Sequence, residues 1–413
     1  MRYIYQHIAT ILSSYDGSLP LTHFLKNYYK QHPKLGSRDR KLLSEMAYCW
    51  YRAERSIDNT LSFEDRIHAT LFLCAANHKI ANLVLPEELK LNDTQTRPQK
   101  LNILNTFYKI PPKTKADAEF KHFLTGNSVF HFQNMWPHTN GFSKGIDKYQ
   151  WLQTMLSQPR MFIRIRRNKE AILSILAQND IPYQELENNC ISIPNGSAID
   201  KLLPEADYAV QDASSQKTGN YFRLQPKNNW WDCCSGAGGK SLLLCDKYPE
   251  IKLTVSDTRS TILHNLAQRF KLYNLPMPKQ VQLDMSSKKD VADKMGSKKF
   301  NAIICDVPCT GSGTWARTPE QLYFFNPEKL KEISKLQKDI AMNAVSHLDA
   351  HGTLYYITCS VFKEENEDIV AYLLKYKHSL EVKEMHLING SDVAADSMFI
   401  AVLQRRATAS QGE

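Results

Sequence analysis

Two cysteines lie in short segments that each follow an apolar run typical of a buried strand. Cys309 lies in residues 306–311 (DVPCTG), and Cys359 lies in residues 356–360 (YITCS). Residues just past the ends of parallel strands meet at one edge of a sheet, so two cysteines far apart in the chain can share a site. A thiolate is a strong nucleophile once its pKa is lowered. The pair therefore predicts covalent chemistry on a carbon that is itself a poor nucleophile.

A single cysteine is more often an inert, buried small side chain than a nucleophile. Cys305, on the apolar strand just before Asp306, fits that description. Cys309 and Cys359 differ because each follows its strand. A helix predicted to begin near Phe362 would also favour a Cys359 thiolate through the partial positive charge of its first turn.

A glycine-rich turn follows another predicted strand, in residues 232–241 (DCCSGAGGKS). It matches neither the dinucleotide GxGxxG pattern nor the GxxxxGK[ST] phosphate loop, and a tight turn without a ligand is the alternative. Acids follow three later predicted strands, at Asp257, Asp284 and Asp306. An acid after the second strand typically binds ribose hydroxyls. The set suits a ligand with a ribose and an adenine amine but no pyrophosphate, such as S-adenosylmethionine.

The predicted secondary structure differs along the chain: helices come first, then a mixed region, and then alternating strands and helices that carry these residues. Residues 1–85 have helical spacing, with helices expected over 38–51 and 67–76, whereas the polar residues 87–122, including Pro111 and Pro112, predict a loop. Residues 145–226 mix a helix (169–177) with a strand (190–193). Strands separated by helical patterns then follow, at 230–234, 253–256, 281–283, 302–305, 353–357 and 398–403.

This order predicts an α/β chain whose last domain is a mostly parallel, doubly wound sheet. We expect three domains: a helical domain with its polar connection (1–140), a small α+β domain (145–226) and the cofactor-binding domain (227–413).

The composition narrows the class of protein. The 413 residues are 42% hydrophobic and 23% charged, as in soluble globular proteins. Residues 1–15 do not have the form of a signal peptide, and there is no run of 18 apolar residues, so no membrane span is expected. The nine cysteines contain no CxxC pair, which argues against a disulfide framework or a zinc site. A reduced, cytoplasmic location without a bound metal is expected.

The net charge of +9 favours a polyanionic partner such as RNA. In residues 160–167 (RMFIRIRR) cations alternate with apolar residues. On a strand this alternation gives one basic and one buried face. Arg164, Arg166 and Arg167 are therefore expected to contact RNA, together with the N-terminal domain.

Over residues 210–405 the chain resembles the RsmB/Sun family of RNA cytosine-5 methyltransferases. Residues 232–241 are similar to the family's Asp-x-Cys-Ala-Ala-Pro-Gly-Gly-Lys-Thr, with Gly236 and Ala237 in place of Ala-Pro, and its acidic positions fall on Asp257 and Asp284. Residues 306–313 resemble its Asp-Ala-Pro-Cys-Ser-Gly-x-Gly motif, residues 356–360 its second cysteine motif, and residues 210–216 its entry segment. Residues 36–60 are similar to a NusB-like RNA-binding module.

The resemblance implies a Rossmann-like class I methyltransferase domain that binds S-adenosylmethionine. In the family's scheme Cys359 attacks C6 of cytosine, Cys309 assists its release, and Asp306 hydrogen-bonds the base. Lys240 either orients the site or is a solvated cation at a helix start. The cofactor-binding residues would be Cys234, Ser235, Gly236, Ala237, Gly238, Gly239, Lys240, Asp257, Asp284 and Asp306.

The implied substrate is RNA, with ribosomal RNA expected, single-stranded or locally opened so that the target base can leave its stack. Trp315, Arg317 and Tyr323 would contact flanking nucleotides, although core packing explains Tyr323 equally well. The protein is expected to act as a monomer.

Three alternatives stay open at this point. The RNA could be transfer RNA, or the methyl acceptor could be an adenine N6 or a protein side chain. The chain could also be a non-catalytic RNA-binding ribosome-assembly factor on a vestigial fold.

Overall fold

The computed structural model describes residues 2–110, 128–224 and 228–406. The chain forms two compact units. The first consists of Met1–Thr139, Asp147–Gln158 and Trp315–Asn326, and the second of Asn140–Ile146, Pro159–Thr314 and Pro327–Glu413. The three-domain division expected from the sequence stays a prediction.

Helices make up most of the first unit and cover the sheets of the second. In chain order they are α1 (Arg2–Ser14), α2 (Leu21–Gln31), α3 (Ser37–Ala53), α4 (Phe63–Cys74), α5 (His78–Ala81), α6 (Arg97–Phe107), α7 (Lys148–Met155), α8 (Lys169–Gln178), α9 (Ala213–Lys217), α10 (Gly239–Lys247), α11 (Ser260–Leu272), α12 (Lys288–Met295), α13 (Pro319–Tyr323), α14 (Pro327–Ser346) and α15 (Glu367–Tyr376).

Helix α6 corrects the prediction of a loop over residues 87–122. Thr96 and Gln99 form a capping box at its start, and Leu101 and Leu104 are completely buried. The capping box satisfies amide groups that the first turn leaves without partners, so a polar segment can still begin a stable helix. Pro111 and Pro112 lie outside the described residues.

The strands form two sheets, both in the second unit. They are β1 (Met161–Ile165), β2 (Gln184–Glu185), β3 (Cys190–Ile193), β4 (Tyr208–Val210), β5 (Asn229–Asp232), β6 (Lys252–Asp257), β7 (Lys279–Gln282), β8 (Phe300–Asp306), β9 (Leu348–Thr358), β10 (Leu380–Ile388) and β11 (Met398–Arg405). The smaller sheet has the order β2-β3-β1-β4, and the larger has the order β10-β11-β9-β8-β5-β6-β7.

The larger sheet has the predicted doubly wound architecture. Strands β5 to β9 pair in parallel, and β11 is antiparallel to β9. Neighbouring residues of one strand face opposite layers: Trp230 packs in the apolar cluster on one face, and Trp231 packs in the cluster on the other. Burial on both faces explains the apolar runs of the sequence. The expected Rossmann-like methyltransferase fold, with a small α+β part and a helical N-terminal region, is confirmed.

The basic segment forms strand β1, as expected. The prediction that its arginines contact RNA is wrong for two of the three, Arg164 and Arg166, which form ion pairs within the protein. The Arg164 Nη1 and Arg166 Nη2 atoms lie 2.5 and 2.7 Å from the carboxylate of Asp246 on α10. Both side chains are buried, with 8% and 3% of their surface exposed. The alternation therefore places cations against a helix, and only Arg167 is exposed.

Candidate active site

Cys309 and Cys359 come together at the carboxyl ends of two adjacent strands. Strands β8 and β9 pair in parallel, with Asp306 opposite Ile357. Each cysteine lies within three residues of the end of its strand, so both lie at the carboxyl edge of the sheet. The two Sγ atoms lie 3.2 Å apart, within hydrogen-bonding distance for sulfur, and both side chains are half-buried. The proximity expected from the sequence is therefore present.

The surroundings of the Cys309 thiol disfavour its ionised form. The hydrogen bond to Cys359, burial, and the nearby charge of Glu365 together raise the pKa of the Cys309 thiol well above its usual value. A Cys309 thiol that stays protonated can donate its hydrogen to the Cys359 sulfur, 3.2 Å away. An S–H donor beside a sulfur that is losing its proton stabilises the resulting thiolate.

A buried acid connects the two cysteine segments. The Glu365 carboxylate accepts hydrogen bonds from the Thr310 amide (2.7 Å) and hydroxyl (2.6 Å), and from the Ser360 hydroxyl. Thr310 follows Cys309 and Ser360 follows Cys359. Glu365 is completely buried, and burial raises its pKa.

Gly313 lies where these segments approach most closely. Its amide donates to the Cys359 carbonyl (2.8 Å), and its own carbonyl accepts from the Ser397 amide (2.9 Å). A Cβ atom here would lie 2.1 Å from the Ser397 carbonyl oxygen and 3.0 Å from that of Cys359. Only glycine fits this position without displacing backbone.

The glycine-rich turn joins β5 to α10 and leaves open space around its backbone. Gly236 and Gly238 have positive φ angles of 51° and 87°, which favour glycine. A Cβ atom added to Gly236 or Gly239 would meet nothing within 4 Å. Ser235 lies before these glycines with its amide bonded to the Ser256 carbonyl, and Ala237 is exposed between them. A ligand can therefore approach the main chain of this turn closely.

Asp257 ends β6 beside the turn, as expected. Asp257 is 9% exposed and accepts hydrogen bonds from the Gly236 amide (3.2 Å) and from Arg259. Burial opposes ionisation, but these hydrogen bonds and the charge of the Arg259 guanidinium lower the pKa of Asp257. Asp284 follows β7 and is exposed, with its carboxylate bonded to the Ser286 amide and hydroxyl. The Leu283 amide donates to the Asp257 carbonyl, which connects the two strand ends.

Asp306 is paired with Lys240 across the sheet edge. Lys240 Nζ lies 3.1 Å from the Asp306 carboxylate and 2.9 Å from the Ser215 hydroxyl. Lys240 is 7% exposed, so it is not a solvated cation at a helix start. Of the two readings of Lys240, an orienting role fits the geometry.

The two other cysteines next to this region have inert surroundings. The pKa of Cys234 is raised well above its usual value by a hydrogen bond to Cys233 and by burial. Cys305 is completely buried, as expected. Neither is placed to act as a nucleophile.

Several expected features of the site differ in the structure. The helix after Cys359 begins at Glu367 rather than near Phe362, and a 3-10 turn, Lys363–Glu365, precedes it. The helix therefore begins five residues later than expected, and Asn366, which precedes it, is hydrogen-bonded to Thr358 and Ser360 on either side of Cys359. Trp315 is 1% exposed and packs against Trp136 and Trp151 in the first unit, which makes it a core residue.

Glu365 was given no role in the sequence analysis. Its partners Thr310, Ser360 and Gln337 were also missed. The available signal was a hydroxyl residue directly after each cysteine, Thr310 and Ser360, which can donate to a shared acid.

The described residues contain neither a cluster of metal ligands nor a membrane-spanning helix. Among residues 2–110, 128–224 and 228–406, no group of three or more His, Cys, Asp or Glu side chains could hold a metal ion. In the same residues no helix is long and apolar enough to cross a membrane.

Comparison with known proteins agrees with this geometry. The profile of a family described as 16S rRNA methyltransferase RsmB/F matches residues 220–407. Curated relatives include the ribosomal RNA small subunit methyltransferase B of Citrobacter koseri, 26% identical over 292 residues, which cover 67% of this chain and 65% of that protein. The enzyme of the same name from Pectobacterium carotovorum is 28% identical over 52% of this chain and 51% of its own length. The chain thus matches between half and two thirds of these relatives.

Solved structures share the fold. The crystal structure of PH0851 has a TM-score of 0.67 at 18% identity and covers 94% of this chain and 95% of its own. NSun6 from Pyrococcus horikoshii, crystallised with SFG, has a TM-score of 0.56 at 13% identity over 67% of this chain and 97% of its own. These structures share the fold of this chain, and the profile shows that residues 220–407 are similar to the family described as 16S rRNA methyltransferase RsmB/F.

Proposed function

We propose that this chain transfers a methyl group from S-adenosylmethionine to C5 of a cytosine in RNA, with ribosomal RNA as the expected substrate. The observation that carries the proposal is the pair of thiols 3.2 Å apart, beside the Lys240–Asp306 pair at the carboxyl edge of the sheet. Methylation of an oxygen or of an amine nitrogen does not require two cysteines in one cleft. Activation of a poor carbon nucleophile uses a thiolate that adds to the ring, and a second thiol beside it can assist the later release of that thiolate.

The glycine turn fits the proposed cofactor. Open backbone at Gly236 and Gly239 admits a ligand, and the buried Asp257 carboxylate can accept hydrogen bonds from ribose hydroxyls. Asp284, at the next strand end, is exposed and can accept from an adenine amine. When bound, S-adenosylmethionine supplies an electrophilic methyl group.

The cysteines have separate roles in this reaction. The Cys359 thiolate adds to C6 of the cytosine, which makes C5 nucleophilic. After C5 has taken the methyl group, the C5 proton passes to solvent and the C6–S bond breaks, which releases the Cys359 thiolate and restores the aromatic ring. The Cys309 thiol, whose pKa is raised, lies 3.2 Å from the departing sulfur and can assist its release by donating a hydrogen bond. Asp306 is held by Lys240 with its carboxylate 30% exposed, so it can hydrogen-bond the base.

RNA contacts are expected in the first unit. Five cations of α2, α3 and the turn between them are exposed, and none forms an ion pair within the described part of the chain. We call them the basic stretch: Lys26, Lys30, Lys34, Arg38 and Lys41. Free cations spaced along one segment suit a phosphate backbone, which supplies most non-specific RNA affinity.

Bisulfite sequencing of total RNA from cells with and without the gene tests the proposal. The expected result is the loss of one 5-methylcytosine from ribosomal RNA, with restoration by the wild-type gene. Loss from a transfer RNA instead would change the substrate but retain the chemistry. An unchanged map of 5-methylcytosine would contradict the proposal.

A further inference from the structure

Glu365 is the one buried acid that contacts both cysteine segments among the described residues. Its side chain receives four hydrogen bonds. Besides the two from Thr310 and the one from Ser360, the Gln337 amide of α14 donates at 3.2 Å. The same Gln337 group donates to the Pro308 carbonyl at 2.8 Å. Three elements therefore converge on a single carboxylate.

No cation balances this carboxylate. Glu365 forms no ion pair with any residue that the structure describes, although it is completely buried. A buried carboxylate without a counter-ion is costly unless its hydrogen bonds are complete. Four donors on two oxygens provide that completion, and they favour the ionised form against the opposing effect of burial.

The charge of Glu365 acts on Cys309. It is one of the influences that raise the pKa of that thiol, after the hydrogen bond to Cys359 and burial. The other titratable group that faces Glu365 is Tyr356, whose hydroxyl donates to the Glu365 main-chain carbonyl at 2.7 Å. The Tyr356 pKa is also raised, chiefly by burial, so Tyr356 stays neutral and does not offset the carboxylate.

We propose that Glu365 is a positioning residue that fixes the two cysteine segments to each other and places its carboxylate charge next to the Cys309 segment. This role rests on the proposed function, because the two cysteines that Glu365 positions are those of the proposed reaction. Without the carboxylate, the segments lose their common acceptor, and ionisation of Cys309 becomes easier.

The test measures alkylation of each cysteine by iodoacetamide, resolved by peptide mass spectrometry, on the full-length protein without RNA or cofactor. Glu365→Gln keeps the size of the side chain and removes its charge. Because each unit of pKa changes the thiolate fraction tenfold, Cys309 alkylation at neutral pH should rise by about threefold or more relative to Cys359. Its pH profile should move to lower pH.

Glu364→Gln is the matched control. It removes the same charge one residue earlier, where the carboxylate makes only a 3.4 Å contact with the Gly141 amide. The Cys309 to Cys359 ratio should stay at the wild-type value. Equal ratios in wild type, Glu364→Gln and a folded Glu365→Gln protein would overturn the proposal.

A second variant covers the case in which Glu365→Gln does not fold. Thr310→Val removes one hydroxyl donor and leaves the charge. Amide hydrogen exchange of residues 309–313 should then be about tenfold faster than in wild type, as expected for loss of about 1.4 kcal/mol of local stability. Unchanged exchange would overturn the proposal. Neither measurement uses substrate. A negative result here would therefore contradict the role of Glu365 without contradicting the proposed function, and a negative bisulfite result would contradict the proposed function without contradicting these contacts.

Discussion

Asp232, at the end of β5, carries a buried carboxyl group directly below the glycine turn. It is completely buried, and its Oδ2 atom accepts a hydrogen bond from the Ser241 hydroxyl at 2.6 Å. Burial raises its pKa to about 7, against a usual value of 3.8. The Asp232 carboxyl, next to the glycine-rich turn, is therefore expected to lose its proton near neutral pH.

This titration predicts a loss of stability with rising pH. Between about pH 4 and 7 the folded protein retains a proton that the unfolded chain has lost, so the free energy of unfolding falls as pH rises through that window. About 3 units at 1.4 kcal/mol each give a cost of about 4 kcal/mol above pH 7. Asp232→Asn should abolish this part of the pH dependence.

Urea unfolding at pH 5 and pH 8 provides the measurement for Asp232. From pH 5 to pH 8 the free energy of unfolding of the wild type should fall by a few kcal/mol relative to that of Asp232→Asn. A constant difference at the two pH values would show that Asp232 does not titrate in this range.

Gly313 gives a steric prediction at the same scale. In Gly313→Ala the new Cβ would lie 2.1 Å from the Ser397 carbonyl oxygen, so backbone must move. Overpacking of this kind costs about 1–3 kcal/mol. Gly141→Ala is the control, because its Cβ would meet only Lys363, at 3.8 Å. Thermal melts should show destabilisation of the first variant alone, and equal melting temperatures would contradict the close approach.

At the scale of elements, an ion pair joins strand β1 to helix α10. The two arginines that form it, Arg164 and Arg166, were expected to contact RNA instead. Asp246 accepts from both Arg164 and Arg166, and these bonds lower its pKa although burial opposes them. Removing one partner of a buried ion pair leaves uncompensated charge and typically costs about 3–5 kcal/mol.

Asp246→Asn should therefore destabilise the protein by about 3 kcal/mol. Arg167→Ala, an exposed position on the same chain segment, should change stability by less than about 0.5 kcal/mol. Equilibrium urea unfolding of both variants checks this. Equal effects would mean that the ion pair does not hold β1 to α10.

The parallel strands and their cysteines were predictable because the information is local. An apolar run followed by a polar residue or cysteine indicates a buried strand end, and the fold then brings neighbouring ends together. The orientation of β1 was not predictable, since alternating cations fit solvent or a buried acid equally well. Asp246, which decides between them, lies far away in the sequence. The edge strand β10 was missed because only its first and last residues are buried and charged residues interrupt its apolar ones.

At the scale of the whole molecule, the basic stretch predicts where RNA affinity lies. Replacing its five cations with Gln should weaken RNA binding and reduce the slope of log affinity against log salt. Each lost phosphate contact accounts for about 0.7 to 0.9 of that slope. S-adenosylmethionine affinity should not change.

Filter binding over a salt series, with calorimetry of the cofactor, measures both quantities. Arg164→Gln with Arg166→Gln makes a useful comparison, because it should reduce stability without a selective effect on the salt slope. An unaltered slope in the five-residue variant would exclude this surface as an RNA contact.

The covalent role of the two cysteines is tested most directly by trapping the protein–RNA adduct on a denaturing gel. Cys309→Ser, incubated with target RNA and S-adenosylmethionine, should attack and methylate but fail to eliminate, and a shifted band should accumulate. Cys359→Ser should give neither methylation nor a band, because a serine hydroxyl is far less acidic than a thiol. The double variant should give no band. A shifted band with Cys359→Ser and none with Cys309→Ser would contradict the account and make Cys309 the nucleophile.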